Sequence, residues 1–301
     1  MEGRPFGDRA VKFIVNPVSG NGRTRRILPK LICVAKKLGI NFDLQLTEAP
    51  EHATELAKEG ADDFDVVVAV GGDGTVNEVA AGAWKSKKVV GIIPTGTGND
   101  FVRAIGRLKD LHDYLSRVVA GKIKSIDVGT ICVDKKDLLF VNGVGIGFDA
   151  EVARESLNFN HLKGLSRYFV SVVKTLSKYK ASQIRIQLDD DVLDQKTFLI
   201  AIGNGISAGG GFLLTPNAIL DDGKLDACIV RDVSVARVLK LLPSVIRGHH
   251  LAQPEVTMKR TTKLSIHSEL PVAVHRDGEI GADKITDLDI SVIPRSLRIT
   301  V

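Results

Sequence analysis

The stretch Val66-Val67-Val68-Ala69-Val70-Gly71-Gly72-Asp73-Gly74-Thr75-Val76-Asn77-Glu78 decides how this chain is read. Five apolar residues in a row, four of them β-branched, are what a strand covered on both faces looks like, and they point to a parallel sheet flanked by helices. The run then stops abruptly in glycines and polar groups. Gly71, Gly72 and Gly74 can take positive φ and leave no Cβ between backbone N–H groups and a bulky anion. Thr75 is placed to cap a following helix, residues 76–84, whose N-terminal end carries partial positive charge. Such a turn suits the oxygens of a triphosphate. Asp73 opposes a phosphate directly but suits a hydrated Mg²⁺ lying between itself and a nucleotide. An Asp-Gly pair alone is an ordinary turn between strand and helix. Strand, paired glycines, Asp-Gly-Thr and helix in succession point further.

The same arrangement recurs on either side. Residues 11–15 read as a strand running into Asn16-Pro17-Val18-Ser19-Gly20-Asn21-Gly22-Arg23, followed by a helical pattern over 24–38. Asn16 and Ser19 offer hydrogen bonds, while Arg23, Arg25 and Arg26 put charge near the helix start, each of them singly a solvated face. A strand over 42–46 ends at Thr47 and is followed by a helix over 52–59. Residues 89–93 form another short apolar strand, ending in Pro94-Thr95-Gly96-Thr97-Gly98-Asn99-Asp100 and a helix from Phe101. In a right-handed parallel sheet all these strand ends fall on one edge, the expected ligand crevice. Thr47 and Thr97 then stand at its rim, and Asp100 is a second carboxylate able to hold water around Mg²⁺.

Past a helix over 111–120 the rhythm changes. Strands are expected over 124–133, 138–144, 183–188, 197–202, 225–230, 263–267 and 272–275, with helices only over 165–178 and 235–247. A strand-rich half after an alternating half implies a second, mainly antiparallel β domain of two packed sheets. The expected division is an α/β nucleotide domain over 1–122 and a β-sandwich over 123–293. A C-terminal strand pair, 288–293 and 296–301, is free to return to either domain, and the stretch 294–301 to the first.

Composition permits this and narrows the classes. With 301 residues the prior is two domains, and 44% apolar residues supply sizeable cores without any run long enough to span a bilayer. Residues 1–10 are charged and lack the apolar block of a signal peptide, so the expected location is the cytoplasm. Cys33, Cys132 and Cys228 have no paired spacing, which argues against a zinc site or a disulfide framework and for small core residues. Against 36 Asp and Glu stand 41 Lys and Arg, a net +5 that fits contact with an anionic nucleotide or membrane surface without demanding either. No basic stretch alternates with aromatics, so nucleic acid is not an expected partner.

The assembled motifs resemble the diacylglycerol kinase catalytic family, particularly its soluble bacterial lipid kinases. The resemblance rests on Gly71-Gly72-Asp73-Gly74-Thr75 with Asn77-Glu78, on Asn16-Pro17 with Ser19-Gly20, and on Pro94-x-Gly-Thr-Gly-Asn-Asp-Phe. It continues through Asn142-Gly143-Val144-Gly145-Ile146-Gly147-Phe148-Asp149, Gly203-Asn204 with Gly209-Gly210-Gly211, Pro216-x-Ala218, Asp222-Gly223-x-Leu225 and Asp277-Gly278-Glu279, almost the whole chain. The Gly-Gly-Asp-Gly-Thr element is also found in NAD kinases and resembles the phosphofructokinase turn; the later motifs select the lipid-kinase branch.

The resemblance implies a phosphofructokinase-like nucleotide domain, a β-sandwich domain, and ATP bound in the cleft between them. Carried over motif by motif, it assigns nucleotide contacts to Asn16, Thr47, the turn Gly71, Gly72, Asp73, Gly74, Thr75, Val76 and Asn77, and Thr97. Asp73 and Asp100 bridge to Mg²⁺ through water, and Arg103 contacts phosphate. A second, structural Mg²⁺ maps to Asp222 with the carbonyls of Ile219 and Lys224, where an Asp-Asp-Gly hairpin turn is the plain alternative. Glu279 matches the catalytic base that accepts the proton of a lipid hydroxyl, with Asp277 as runner-up or orienter. Two carboxylates one glycine apart repel each other, which would raise the proton affinity of one. Arg276 departs from the pattern, an apolar residue being expected there.

The expected function is an ATP-dependent lipid kinase converting diacylglycerol to phosphatidic acid at a membrane surface. The alternatives are an NAD kinase-like phosphotransferase and a non-catalytic nucleotide-binding regulator. Sphingoid bases, ceramide, monoacylglycerol and phosphatidylglycerol also offer a hydroxyl, and a homodimer is compatible with the chain.

Overall fold

The computed structural model describes residues 9–59, 63–86, 88–133, 136–159, 162, 164–280 and 284–301. The charged N-terminal stretch lies outside them up to residue 8. The chain divides into two compact units, Met1–Ile126 with Arg295–Val301, and Asp127–Pro294.

The first unit is an α/β domain. Its elements are β1 (Ala10–Val15), α1 (Ser19–Lys37), β2 (Asn41–Leu46), α2 (His52–Lys58), β3 (Val66–Gly71), α3 (Asp73–Ala83), β4 (Val89–Pro94), α4 (Phe101–Ile105) and α5 (Leu111–Ala120). The sheet runs β4-β3-β1-β2 with every pair parallel, and Arg298 and Ile299 of the C-terminal strand add to β4, also in parallel. Every residue of β3 is buried, as its unbroken apolar run requires, and each of its valines contributes roughly 1.5–3 kcal/mol by leaving water. Lys12 is the exception within β1, a cation at 2% exposure. Its Nζ donates to the Leu56 carbonyl at 2.6 Å and the Glu59 carbonyl at 3.3 Å, closing the negative end of α2.

The second unit is a β-sandwich domain with helices. β5 (Ile123–Val133) leads into it, followed by β6 (Lys136–Phe140), β7 (Gly143–Gly147), α6 (Phe148–Ser156), α7 (Gly164–Leu176), β8 (Ser182–Leu188), β9 (Asp191–Gly203) and β10 (Leu225–Arg231). Then come α8 (Val235–Ile246), β11 (Val256–Thr261), β12 (Lys263–Val272), β13 (Val274–Arg276), β14 (Glu279–Ile280) and β15 (Ile285–Thr300). β9 is the hub: residues 191–197 pair with β8, and its later part pairs with both β7 and β10, all antiparallel. Between the strands lies one apolar core that includes Phe140, Ile146, Ile186, Ile200, Ile229, Leu264 and Ile290. A second cluster joins Phe148 and Val152 of α6, Val172 and Leu176 of α7 and Leu242 of α8 to Phe198 and Phe212.

Several expectations are corrected. The strand expected over 138–144 is two strands, β6 and β7, because the N–H groups of Val141, Asn142 and Gly143 turn to the Asp277 carboxylate. The C-terminal pair is one strand, β15, in which Arg295 takes a left-handed φ of 47°. Only Cys228 is buried; Cys33 is exposed on α1, whose buried face is Thr24, Leu31 and Ala35, and Cys132 is half-buried. Among the described residues no helix is long and apolar enough to cross a membrane.

Candidate active site

Parallel register aligns the polar strand ends of the first unit. Val15 stands opposite both Leu46 and Val70, and Gly71 opposite Pro94, so Asn16, Thr47, Gly72 and Thr95 follow on one edge of the sheet. Backbone bonds lock them together: Asn16 N–H to the Val70 carbonyl at 3.0 Å, Thr47 N–H to that of Val15 at 2.9 Å, and Thr95 N–H to that of Gly71 at 2.8 Å. The Asn16 amide donates to Thr75 Oγ1 at 3.1 Å, and Thr24 and Thr95 hydroxyls meet at 2.5 Å.

Two details of this turn differ from expectation. α3 begins at Asp73 with Gly72 as N-cap, so Thr75 lies inside the first turn and serves Asn16 instead of capping. None of Gly71, Gly72 and Gly74 takes positive φ; left-handed residues are instead Gly20, Asn21 and Gly22 of one neighbouring turn and Asn99 of the other. Glycine is needed for closeness: a Cβ on Gly96 would come within 2.5 Å of the Gly72 Cα. Turns packed backbone to backbone at the start of α3 leave a cradle of the kind that takes phosphate oxygens.

Around this cradle the sequence-predicted residues gather. Asp73 Oδ1 accepts from the Phe101 N–H at 3.2 Å, which ties the carboxylate beside Asp100. Asp100 is 6% exposed and faces Arg103, whose Nε lies 3.5 Å from its Oδ1. Val76 and Asn77 are buried in α3, and Thr97 is half-buried in the 95–99 turn. Two carboxylates joined through one backbone segment fit a divalent cation in its preferred all-oxygen surroundings.

In the second unit the Asp-Gly-Glu motif forms the tip of the β13–β14 hairpin. Asp277 is 6% exposed, and its two oxygens accept the N–H groups of Val141 at 2.9 Å, Asn142 at 2.9 Å and Gly143 at 2.7 Å. Burial pushes its carboxyl up against the pull of those three bonds; repulsion from Glu279 is not what raises it. Glu279 is different. Its side chain is 41% exposed, with Oε2 3.6 Å from Arg276 Nη2. Arg276, the departure from the family pattern, also donates to the Leu139 carbonyl at 2.8 Å.

The hairpin is anchored by residues that motif reading did not assign. His275 Nδ1 receives the Gly278 N–H at 3.3 Å, so Nε2 carries the hydrogen and donates to Asp149 Oδ2 at 2.8 Å. Tyr168 OH donates to the other oxygen of Asp149. Burial pushes the Asp149 carboxyl up, but His275 and Tyr168 outweigh it and hold the group below its ordinary value. The signal was Gly145, which lies opposite His275 in the β7–β13 pairing; a Cβ there would come within 2.2 Å of both His275 Nε2 and Asp149 Oδ2.

Asp149 and Tyr168 also line a cavity walled by Val172, Phe198, Phe212, Leu241 and Leu242 among others. About 80 Å³ of it is open to the centre of a water-sized sphere, several times what one water needs, so it is no packing fault. Its wall is almost wholly apolar.

Asp222 lies in the turn before β10. Its carboxylate is engaged by the Arg260 guanidinium, whose Nε lies 3.9 Å from Asp226 Oδ2, and its Oδ1 accepts from the Lys224 N–H at 3.0 Å. Ile219 is 49% exposed. Asp222 Oδ2 and Asp226 Oδ2 are otherwise buried without a hydrogen-bond partner, so a cation belongs beside them, and here the Arg260 guanidinium supplies it.

The profile of the diacylglycerol kinase catalytic domain matches residues 10–131, and that of the YegS C-terminal NAD kinase beta sandwich-like domain matches residues 142–301. A diacylglycerol kinase of Staphylococcus saprophyticus is 31% identical over 277 residues, 91% of this chain and 90% of the relative. One from Staphylococcus aureus is 29% identical over 277 residues, 91% of this chain and 87% of the relative. Among solved structures, a diacylglycerol kinase from Bacillus anthracis superposes with a TM-score of 0.73 at 22% identity, covering 97% of this chain and 96% of the other. Yeast NADH kinase complexed with NADH follows the fold more distantly, with a TM-score of 0.53 at 11% identity over 97% of this chain and 82% of the other.

Proposed function

From a chain that belongs to the diacylglycerol kinase family, we propose an ATP-dependent lipid kinase that phosphorylates diacylglycerol to phosphatidic acid. The observation that carries the lipid half of this reading is the apolar cavity of the second unit. An acyl chain gains roughly 0.8 kcal/mol for each methylene placed there, whereas the nicotinamide, ribose and phosphates of NAD would leave their polar groups unpaired.

In this reading the cradle around Gly71–Asn77, with Asn16, Thr47, Thr97 and Arg103, holds the nucleotide phosphates. Mg²⁺ held through water by Asp73 and Asp100 would neutralise charge on the phosphoryl oxygens. Glu279, the half-exposed carboxylate, takes the proton of the lipid hydroxyl as that oxygen bonds to the γ-phosphorus and the bond to the bridging oxygen breaks, leaving ADP. Asp277, with both oxygens taken by backbone N–H groups, shapes the 141–143 segment instead. Asp149, a residue of the cavity wall, holds through His275 the hairpin that carries Glu279. No step is assigned to Asp222. The protein acts as a peripheral enzyme on the cytoplasmic side of a membrane.

Purified protein incubated with labelled ATP, Mg²⁺ and separately diacylglycerol, other hydroxyl lipids or NAD tests this. Label is expected in the lipid fraction, most strongly with diacylglycerol. Phosphorylation of NAD without any lipid product would overturn the proposal.

A further inference from the structure

Glu78 ends the glycine-turn motif, and the nucleotide cradle leaves it without a role. It stands half-buried in the second turn of α3, the helix that begins at the cradle, and its side chain reaches α2. α2 needs what it offers. The start of a helix leaves N–H groups without intrahelical partners, and the N-cap residue here, Glu51, supplies no side-chain bond. The His52 N–H goes to the Ala49 carbonyl at 3.3 Å, and those of Thr54 and Glu55 go to the Glu51 carbonyl at 3.0 and 3.4 Å. The Ala53 N–H is the one that Glu78 Oε2 accepts, at 3.1 Å. Thr54 Oγ1 in turn donates to the Glu78 carbonyl at 3.1 Å. One turn further along α3, a Cβ on Gly82 would come within 2.4 Å of the Thr54 carbonyl oxygen, so the two helices meet at backbone distance. α3 thus caps α2 where the local sequence does not.

The cap holds one end of the loop that carries Thr47. Residues 47–51 join β2 to α2, and at the strand end the Thr47 N–H is fixed to the Val15 carbonyl at 2.9 Å. At the helix end Glu51 takes a left-handed φ of 66°, which a residue other than glycine keeps only where its surroundings hold it. Burial pushes the Glu78 carboxyl up, and backbone hydrogen bonds from Glu51 and Ala53 pull against it. The carboxylate therefore grips both residues at which the loop becomes helix. We propose that Glu78 is a positioning residue for nucleotide binding: it sets the loop of Thr47 against the helix that carries the phosphate cradle, so that both meet one nucleotide. The inference rests on the proposed nucleotide site and adds to it a side chain that acts through α2 without touching substrate.

Calorimetric titration with ATP in Mg²⁺, together with KM and kcat for lipid phosphorylation at a temperature where every variant is folded, tests the role. Glu78→Ala should raise the Kd and KM for ATP about tenfold, as loss of one hydrogen bond to a charged group implies, with most of the effect in KM and little in kcat or in the KM for lipid. Glu78→Gln, whose amide oxygen still accepts the Ala53 N–H, should recover most of that loss. Should Glu78→Ala not fold, Glu78→Asp, one methylene too short for the same bond, carries the same expectation. Lys12→Met releases the opposite end of α2 from its hold on the Leu56 and Glu59 carbonyls, so it should lower the melting temperature and leave ATP affinity unchanged. A KM for ATP that rises as far in Lys12→Met as in Glu78→Ala would make the stability of α2 the cause and overturn the inference. ATP binding equal to that of the wild type in Glu78→Ala and Glu78→Asp overturns it alone, leaving the nucleotide site in place. A wild type that binds no ATP removes the nucleotide site and this inference with it.

Discussion

His275 donates its Nε2 hydrogen to Asp149 across 2.8 Å, joining the hairpin of Glu279 to the wall of the apolar cavity. Both side chains are almost fully buried, at 6% and 5% exposure. A carboxylate in such a place persists only because its two oxygens are satisfied by His275 and Tyr168.

Asp149→Asn should therefore destabilise the second unit by about 1–3 kcal/mol at neutral pH. Because the folded carboxyl lies below its ordinary value, the stabilising contribution of Asp149 is complete above the unfolded value near 3.8 and is lost as pH falls through the lower folded one. Urea melts of wild type and variant should differ from pH 5 to pH 8 and converge as pH falls below the ordinary carboxylate range. A difference that grew with acidity would contradict the assignment.

The alternating half of the chain is legible because each strand lies between layers and must be apolar along its length. Val66 to Val70 announces itself without any partner in view, and the glycine turns follow directly. The Asp149–His275 pair is not announced in that way. Its members stand 126 residues apart, and they meet only because β13 pairs with β7. The cavity is still less local, drawing its wall from α6, α7, α8, β9 and β10. Arg260 is hidden for the same reason: the Asp222 motif records the carboxylate, while the cation beside it arrives on β11.

Asp277 and Glu279 should fail in opposite ways. Asp277→Asn turns an amide toward backbone N–H groups that need an acceptor, so it should cost about 3 kcal/mol in denaturant melts. Glu279→Gln, at a half-exposed position, should leave the melting temperature unchanged and lower single-turnover phosphoryl transfer by roughly 10²–10⁴-fold. A stable, inactive Asp277→Asn beside an active Glu279→Gln would exchange the two roles.

Asp73 links the phosphate cradle to the segment that carries Asp100. Asp73→Ala removes the acceptor for the Phe101 N–H, a loss of about 1 kcal/mol that the fold tolerates. Turnover should be abolished. If the carboxylate acts through the metal as proposed, calorimetric titration should show weaker binding of Mg²⁺ with ATP and little change for ATP in chelator. Near wild-type turnover would remove Asp73 from the site.

Arg260 gives the last test, because it is the cation that Asp222 has. Two acidic groups, Asp222 and the 3%-exposed Asp226, share this guanidinium, and removing it leaves negative charge in partly buried surroundings. Arg260→Ala should lower the melting temperature in chelator by several degrees. It should also create a metal response: with the guanidinium gone, carboxylate oxygens are opened to Mg²⁺, and a ligand that binds only the folded state raises stability as its concentration exceeds its Kd. Wild type, whose site already holds a cation, should show little Mg²⁺-dependent shift without ATP, and Asp222→Ala should show none. A large Mg²⁺ shift in wild type that Asp222→Ala removes would mean that the guanidinium yields to the metal, returning Asp222 to the role of a metal ligand.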